Sequence, residues 1–188
     1  WGYYIYYGTR ALVLEFKKPA AAGGKWPRPL AGVKIALDPG HSARQFPPYD
    51  GAIGPLGTFE YQANLAIALK TQEALSKLGA QVLLTRKGDE TVQLADRPKI
   101  AKDNKADIFI SIHNNAIPDG EDPFAQPRGF AVYYYHPHSR ALGKAIHGAY
   151  AKNISLPDEG LRYGDYLVAR MTSMPAVLIE NVYMILPE

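Results

Sequence analysis

Three apolar stretches of this chain each run directly into a group that can bind a metal or carry a proton. Val33-Lys-Ile-Ala-Leu-Asp-Pro-Gly-His41 breaks at an Asp-Pro-Gly turn and delivers a histidine. Asp107-Ile-Phe-Ile-Ser-Ile-His113 alternates large apolar residues and ends on a second histidine, and Pro175-Ala-Val-Leu-Ile-Glu180 ends on a carboxylate. Short runs rich in branched and aromatic residues read as strands. In an α/β protein, ligands and catalytic groups gather outside the carboxyl ends of the strands. Three such strand ends therefore predict one shared site, with a metallohydrolase as the first reading.

Composition limits how such a site can be built. The chain has no cysteine, which excludes disulfides and Cys-ligated zinc and leaves histidines and carboxylates as ligands. Its 188 residues, 47% hydrophobic and 21% charged, suit one principal soluble domain. The apolar runs are too short to cross a bilayer, so no transmembrane segment is expected. Net charge is only +3 and the basic residues form no stripe, so no nucleic-acid partner is expected. The chain opens on Trp1 with no signal-peptide pattern and is read as part of a longer product.

Residues 1–18 read as two short strands, 3–7 and 11–16, around a Gly8-Thr9 turn, and 19–30 as a Pro/Ala/Gly linker. Residues 1–30 are taken as the tail of a preceding β-rich module plus linker. An edge hairpin packed on the main domain is the close alternative. From Val33, strands alternate with helices: strands at 33–38, 81–85, 107–113, 129–135, 166–169 and 176–180, and helices at 59–78, 94–102 and 139–153. Gly79 ends the long first helix, in which Leu65, Ala68, Leu69, Leu75 and Leu78 keep helical spacing. This alternation predicts a three-layer α/β fold. A central, mostly parallel (mixed) sheet carries helices on both faces, and the site lies at the C-terminal strand ends.

Glu60 stands in the first turn of the long helix. His41, Glu60 and His113 make a three-ligand zinc set that leaves a fourth position open, as hydrolytic zinc sites require. Glu180 is then free to move the proton. Each residue also has a plainer explanation: a loop histidine, a helix-start carboxylate favoured by the dipole, a solvent-facing strand end. Glu180 resists that explanation, because Ala-Val-Leu-Ile before it and Val182-Tyr-Met-Ile after it form an interior segment in which a carboxylate needs a partner or a task.

The same residues carry a family resemblance. Ile35-Ala-Leu-Asp-Pro-Gly-His41, Gly51-Ala-Ile-Gly-Pro-Leu-Gly-Thr-Phe-Glu60 and Asn64-Leu-Ala-Ile-Ala68 resemble the zinc-dependent N-acetylmuramoyl-L-alanine amidases of bacterial cell-wall turnover. So do Leu84-Thr-Arg86 with Asp89, Leu94 and Arg97, the run Ala106–Ala116, and Pro175–Glu180, all in the family's order over about residues 33–184. The resemblance implies one Zn²⁺ per chain on His41, Glu60 and His113, with Glu180 as the catalytic carboxylate. It implies cleavage of the amide between N-acetylmuramic acid and L-alanine in peptidoglycan, as in autolysis and cell division. It further implies a monomer acting outside the cytoplasm, in the periplasm or cell wall, with a possible protein activator or wall-targeting domain as further partner. The catalytic domain is placed at 31–188, without the family's final helix, and its open groove is expected to be rimmed by loops 42–58 and 117–128.

Two rivals of other classes stay open at this point: a zinc peptidase or carboxypeptidase of similar fold, and a non-catalytic wall-binding module. Ser42 and Asn181-Val-Tyr-Met depart from the family's usual glycine and Gly-Phe and bear on the cleft floor. The segment 136–159 has no room for a separate helix that blocks the zinc. Arg86 and Arg97 read as structural partners of acids such as Asp89. His136, His138 and His147 read as loop, capping or packing residues, and Tyr133–Tyr135 as strand packing.

Overall fold

The computed structural model describes residues 1–188 except 45–47, 49, 119, 123, 126, 127 and 186–188. A two-stranded antiparallel ribbon, β1 (Gly2–Tyr7) and β2 (Leu12–Lys17), precedes the main sheet. The main sheet then follows, with β3 (Lys34–Pro39), α1 (Glu60–Lys77), β4 (Gln81–Leu84), α2 (Asp96–Asp103), β5 (Ile108–Asn115) and β6 (Phe130–Tyr134). Next come a 3-10 turn at Pro137–Ser139, α3 (Arg140–Asn153), β7 (Asp158–Tyr163), α4 (Leu167–Arg170) and β8 (Ala176–Tyr183). The six strands lie in the order β4-β3-β5-β8-β6-β7. Pairing is parallel from β4 through β8, β6 runs antiparallel to β8, and β7 runs parallel to β6. The expected mixed, mostly parallel sheet is the one found.

The pleat divides the core. Val33, Ile35, Leu37 and Ile112 face α1 through Ala68, while Val132, Val177 and Ile179 face Leu142 and Ile146 of α3. The opposite face sets Ala36, Phe109, Ala176 and Leu178 against Ala101 of α2 and Val168 of α4. Central strands buried on both faces need continuous apolar runs, which is why β3, β5 and β8 stand out in the sequence.

Two expectations fail locally. Of residues 166–169, read as a strand, only Tyr166 is extended and 167–169 belong to a single helical turn, α4. The strand is instead β7, at 158–163, read as loop because Asp-Glu-Gly-Leu-Arg-Tyr has no apolar alternation. It is an edge strand with a register shift opposite Phe130 and Ala131, where Gly160 takes φ +95°. An edge with a bulge tolerates such a sequence.

The N-terminal ribbon lies against this body. Lys17 pairs with Asp107 at 3.0 Å, Lys102 with Glu15 at 2.5 Å, and Ser173 donates to Glu15. Ala20 and Leu30, in the segment read as linker, pack on the apolar cluster under α1.

Candidate metal centre

His41 leaves β3 through Pro39 and Gly40 and adopts φ 60°, a left-handed conformation that costs a residue with a side chain on the order of 1–3 kcal/mol. Its Nδ1 lies 2.7 Å from Asp50 Oδ1, and Asp50 Oδ2 accepts the Ser42 amide. This contact turns Nε2 inward, 3.1 Å from Glu60 Oε2. His113, near the end of β5, brings Nδ1 to 3.2 Å from Glu60 Oε1. The two rings stand at 78°, with centroids 4.8 Å apart.

Glu60 opens α1 at the meeting point of three elements. Its Oε2 accepts the Ala52 amide, and its Oε1 accepts the Asn114 amide and the Asn64 side chain. Asn64, one turn further along α1, also donates to the Gly40 carbonyl and accepts from Asn114. Burial alone would raise the Glu60 pKa, but hydrogen bonds and charge from His113 and His41 outweigh it and the net shift is downward. Burial likewise pushes His41 down, and Glu60 and Asp50 outweigh it to raise it.

The set fits a zinc ion. One ligand atom from each of His41, Glu60 and His113 lies within 4.8 Å of the other two. Two imidazoles and a carboxylate are a known hydrolytic donor set, and Asp50 supplies the outer carboxylate that fixes a ligating histidine's tautomer and direction. The space is kept by glycine. A Cβ on Gly40 would sit 2.3 Å from the His113 ring, and one on Gly51, at φ +93°, 2.8 Å from the His41 ring and 2.9 Å from Glu60 Oε2.

Glu180 stands in register with His113 on the neighbouring strand. Burial, and after it the charge of Glu60, raises its pKa to about 8. Its Oε2 is buried with no hydrogen-bond partner among the described residues. A carboxyl with such a pKa, beside a possible metal site, can take up and release a proton near neutral pH.

A cleft of about 590 Å³ opens beside the histidines, lined by Ser42, Arg44 and the 91–94 stretch among others. That last wall was not anticipated from the sequence. Gly51–Ile53 with Ala116, Ile117 and Met184 line a second groove of about 320 Å³. Both expected rim loops thus contribute in part, and their residues 45–47, 49, 119, 123, 126 and 127 lie outside the described residues.

The other singled-out residues fall elsewhere. His136 Nε2 bonds the Arg170 carbonyl and its ring stacks on His138, and His147 meets Asp158. None joins a metal-like group among the described residues. Arg97 pairs with an acid, the buried Asp38, at 2.9 Å; Arg86 spends its donors on main-chain carbonyls and meets Asp38, Glu90 and Asp89 through charge. Asp50, Asn64 and Asn114 have no role assigned from the sequence: their partners are main-chain groups and the side chains of His41, Glu60 and each other, and the signals are an acid in a Gly/Pro-rich loop and two asparagines inside family-like stretches.

No helix among the described residues is long and apolar enough to cross a membrane. Residues 35–188 match the family model of N-acetylmuramoyl-L-alanine amidases. Among curated proteins, the probable cell wall amidase LytH of Staphylococcus aureus is 36% identical over 157 residues, 82% of this chain and 49% of LytH. The chain thus spans about half the length of the curated relatives it matches. Among solved structures, the catalytic domain of the amidase CwlV from Bacillus (Paenibacillus) polymyxa var. colistinus superposes with TM-score 0.72 at 36% identity, covering 81% of each chain. The amidase AmiC2 of Nostoc punctiforme gives 0.73 at 32% identity, over 83% of this chain and 82% of its own. With most of its length matched, this chain belongs to the N-acetylmuramoyl-L-alanine amidase family.

Proposed function

We propose that the protein hydrolyses the amide between the lactyl group of N-acetylmuramic acid and the L-alanine of peptidoglycan, as a monomer holding one zinc ion. The observation that carries this reading is the convergence of His41, Glu60 and His113 beside Glu180, within the region matched by the amidase family. His41, Glu60 and His113 would hold the ion. When bound, zinc polarises the scissile carbonyl and lowers the pKa of water toward about 7.

The remaining work falls to the chain. Asp50 fixes the His41 ring, and Asn64 with the Ala52 and Asn114 amides fixes the Glu60 carboxylate. Glu180 accepts a proton from the attacking water and returns it to the departing L-alanine amine. Burial and the neighbouring Glu60 charge raise its pKa, so the carboxyl holds the proton it takes up more firmly than a free glutamate does until the amine departs. An open groove suits an extended polymer, and the substrate's location places the protein's work outside the cytoplasm, in the periplasm or cell wall. Residues 1–30 are read as an edge hairpin and strap of the catalytic domain, the alternative to a preceding module, a reading supported by the Lys17–Asp107 and Lys102–Glu15 pairs and by Ala20 and Leu30 packed on the core cluster.

Incubating the purified protein with muropeptides, with and without chelator, and weighing the products tests this. The reading requires disaccharide and free stem peptide, lost with chelator and restored by Zn²⁺. Cleavage within the stem peptide, or no cleavage by zinc-loaded protein, would overturn it.

A further inference from the structure

Both histidines are held by their own main-chain carbonyls. The His41 carbonyl accepts from Arg86 Nε and from Arg97 Nη2, each at 2.8 Å. The same two side chains also grip Pro39, and Arg86 Nη2 reaches the Gly40 carbonyl at 3.0 Å. Arg97 Nη2 further reaches Ser42 Oγ at 3.1 Å. Both arginines are buried, and the charge of Arg97 is met by Asp38, itself anchored to Ser111. Two charge-assisted donors thus converge on one residue in a sparsely populated backbone conformation.

On the other side, Asn181 Nδ2 donates to the His113 carbonyl at 2.7 Å, and Asn181 Oδ1 accepts from the Tyr150 hydroxyl of α3 at 2.7 Å. This relay spans the place where the β5–β8 register shifts, between His113 and Asn115.

We propose that Arg86, Arg97 and Asn181 are positioning residues for the metal ligands, clamping His41 and His113 through their carbonyl oxygens so that the imidazoles meet Glu60 before any ion arrives. The proposal rests on the zinc reading above. Structural support alone would leave the site's affinity untouched, whereas positioning sets it: an unclamped histidine must be ordered at the moment of binding.

The test is the Zn²⁺ dissociation constant of the full chain, measured by competition with a chromophoric chelator, beside the melting temperature of the metal-free protein. Arg97→Lys and Asn181→Ala should each weaken zinc by about tenfold or more, the usual effect of losing an outer-shell partner. Tyr150→Phe, which keeps the ring's packing, should weaken it less and add nothing to Asn181→Ala. If Arg97→Lys does not fold, the Asn181 and Tyr150 variants decide the matter. Unchanged zinc affinity in the folded variants, whatever their melting temperatures, would overturn the clamp. A wild-type chain that binds no zinc would instead overturn the site reading, and the clamp with it.

Discussion

The metal centre and the N-terminal ribbon are held in place by different means. Around the centre, polar groups are buried and multiply bonded: each Glu60 oxygen is fixed by a main-chain amide, and glycines admit the two rings at close range. The ribbon lies on the body through side-chain contacts at a partly exposed seam. Its outward face carries the cross-strand pairs Ile5–Leu14 and Tyr7–Leu12, with Tyr7 88% exposed. Position is specified at the centre by networks in which every member constrains another, while the ribbon can be perturbed one contact at a time. Changes at the centre should therefore abolish a property, and changes at the ribbon should only shade one.

The largest expected effect comes from removing a ligand. His113→Ala should lose zinc and activity together, as metal analysis and turnover of the same preparation would show. Full zinc with full activity would remove His113 from the site.

Gly40→Ala should come next. Its Cβ would fall 2.3 Å from the His113 ring, so either the ring or the β3 turn must move. Zinc content should fall and the melting temperature should drop. Normal zinc at normal stability would show that the glycine is not what keeps the ring's space.

A smaller effect follows from the ribbon's seam. His138 lies 5.2 Å from the Tyr3 ring, centroid to centroid, and burial, with His136 beside it, pushes its pKa down to about 4. An unfolded histidine titrates near 6.5, so the unfolded chain takes up a proton first. Stability from this site is complete above about pH 6.5 and is lost as pH falls toward 4, on the order of 1 kcal/mol by pH 5 after allowing for the ring's partial exposure. His138→Phe should flatten the melting temperature over that window. An unchanged acid-side slope would show that the seam does not titrate.

The smallest effect belongs to the ribbon's outer contacts. Lys102→Ala removes the ion pair with Glu15 and should cost under about 1 kcal/mol, read from urea unfolding. Zinc content and turnover should stay unchanged, and a loss of zinc would show that ribbon and centre are coupled.

The comparison also explains what could be read from the sequence. β3, β5 and β8 are central strands buried on both faces, so burial imposes continuous apolar runs that end on His41, His113 and Glu180. Glu60 was visible because a helix start has its own chemistry. β7 was hidden because an exposed edge with a bulge requires no apolar alternation, and α4 because Leu-Val-Ala suits a strand as well as one helical turn. The supporting shell was also hidden. Asn64 and Arg86 lie in stretches that carry the family resemblance, but their roles, like those of Asp50 and Asn181, are set by main-chain carbonyls and amides whose positions only the fold fixes.

The most direct measurement of the central claim is zinc content and turnover of Glu180→Gln. The substitution keeps shape and hydrogen-bonding capacity and removes the group that accepts the proton. The variant should hold one zinc per chain while turnover falls by at least about 10²-fold, the usual contribution of a positioned acid–base group. Loss of zinc would make Glu180 a ligand, and near-normal turnover with zinc bound would mean that another residue moves the proton.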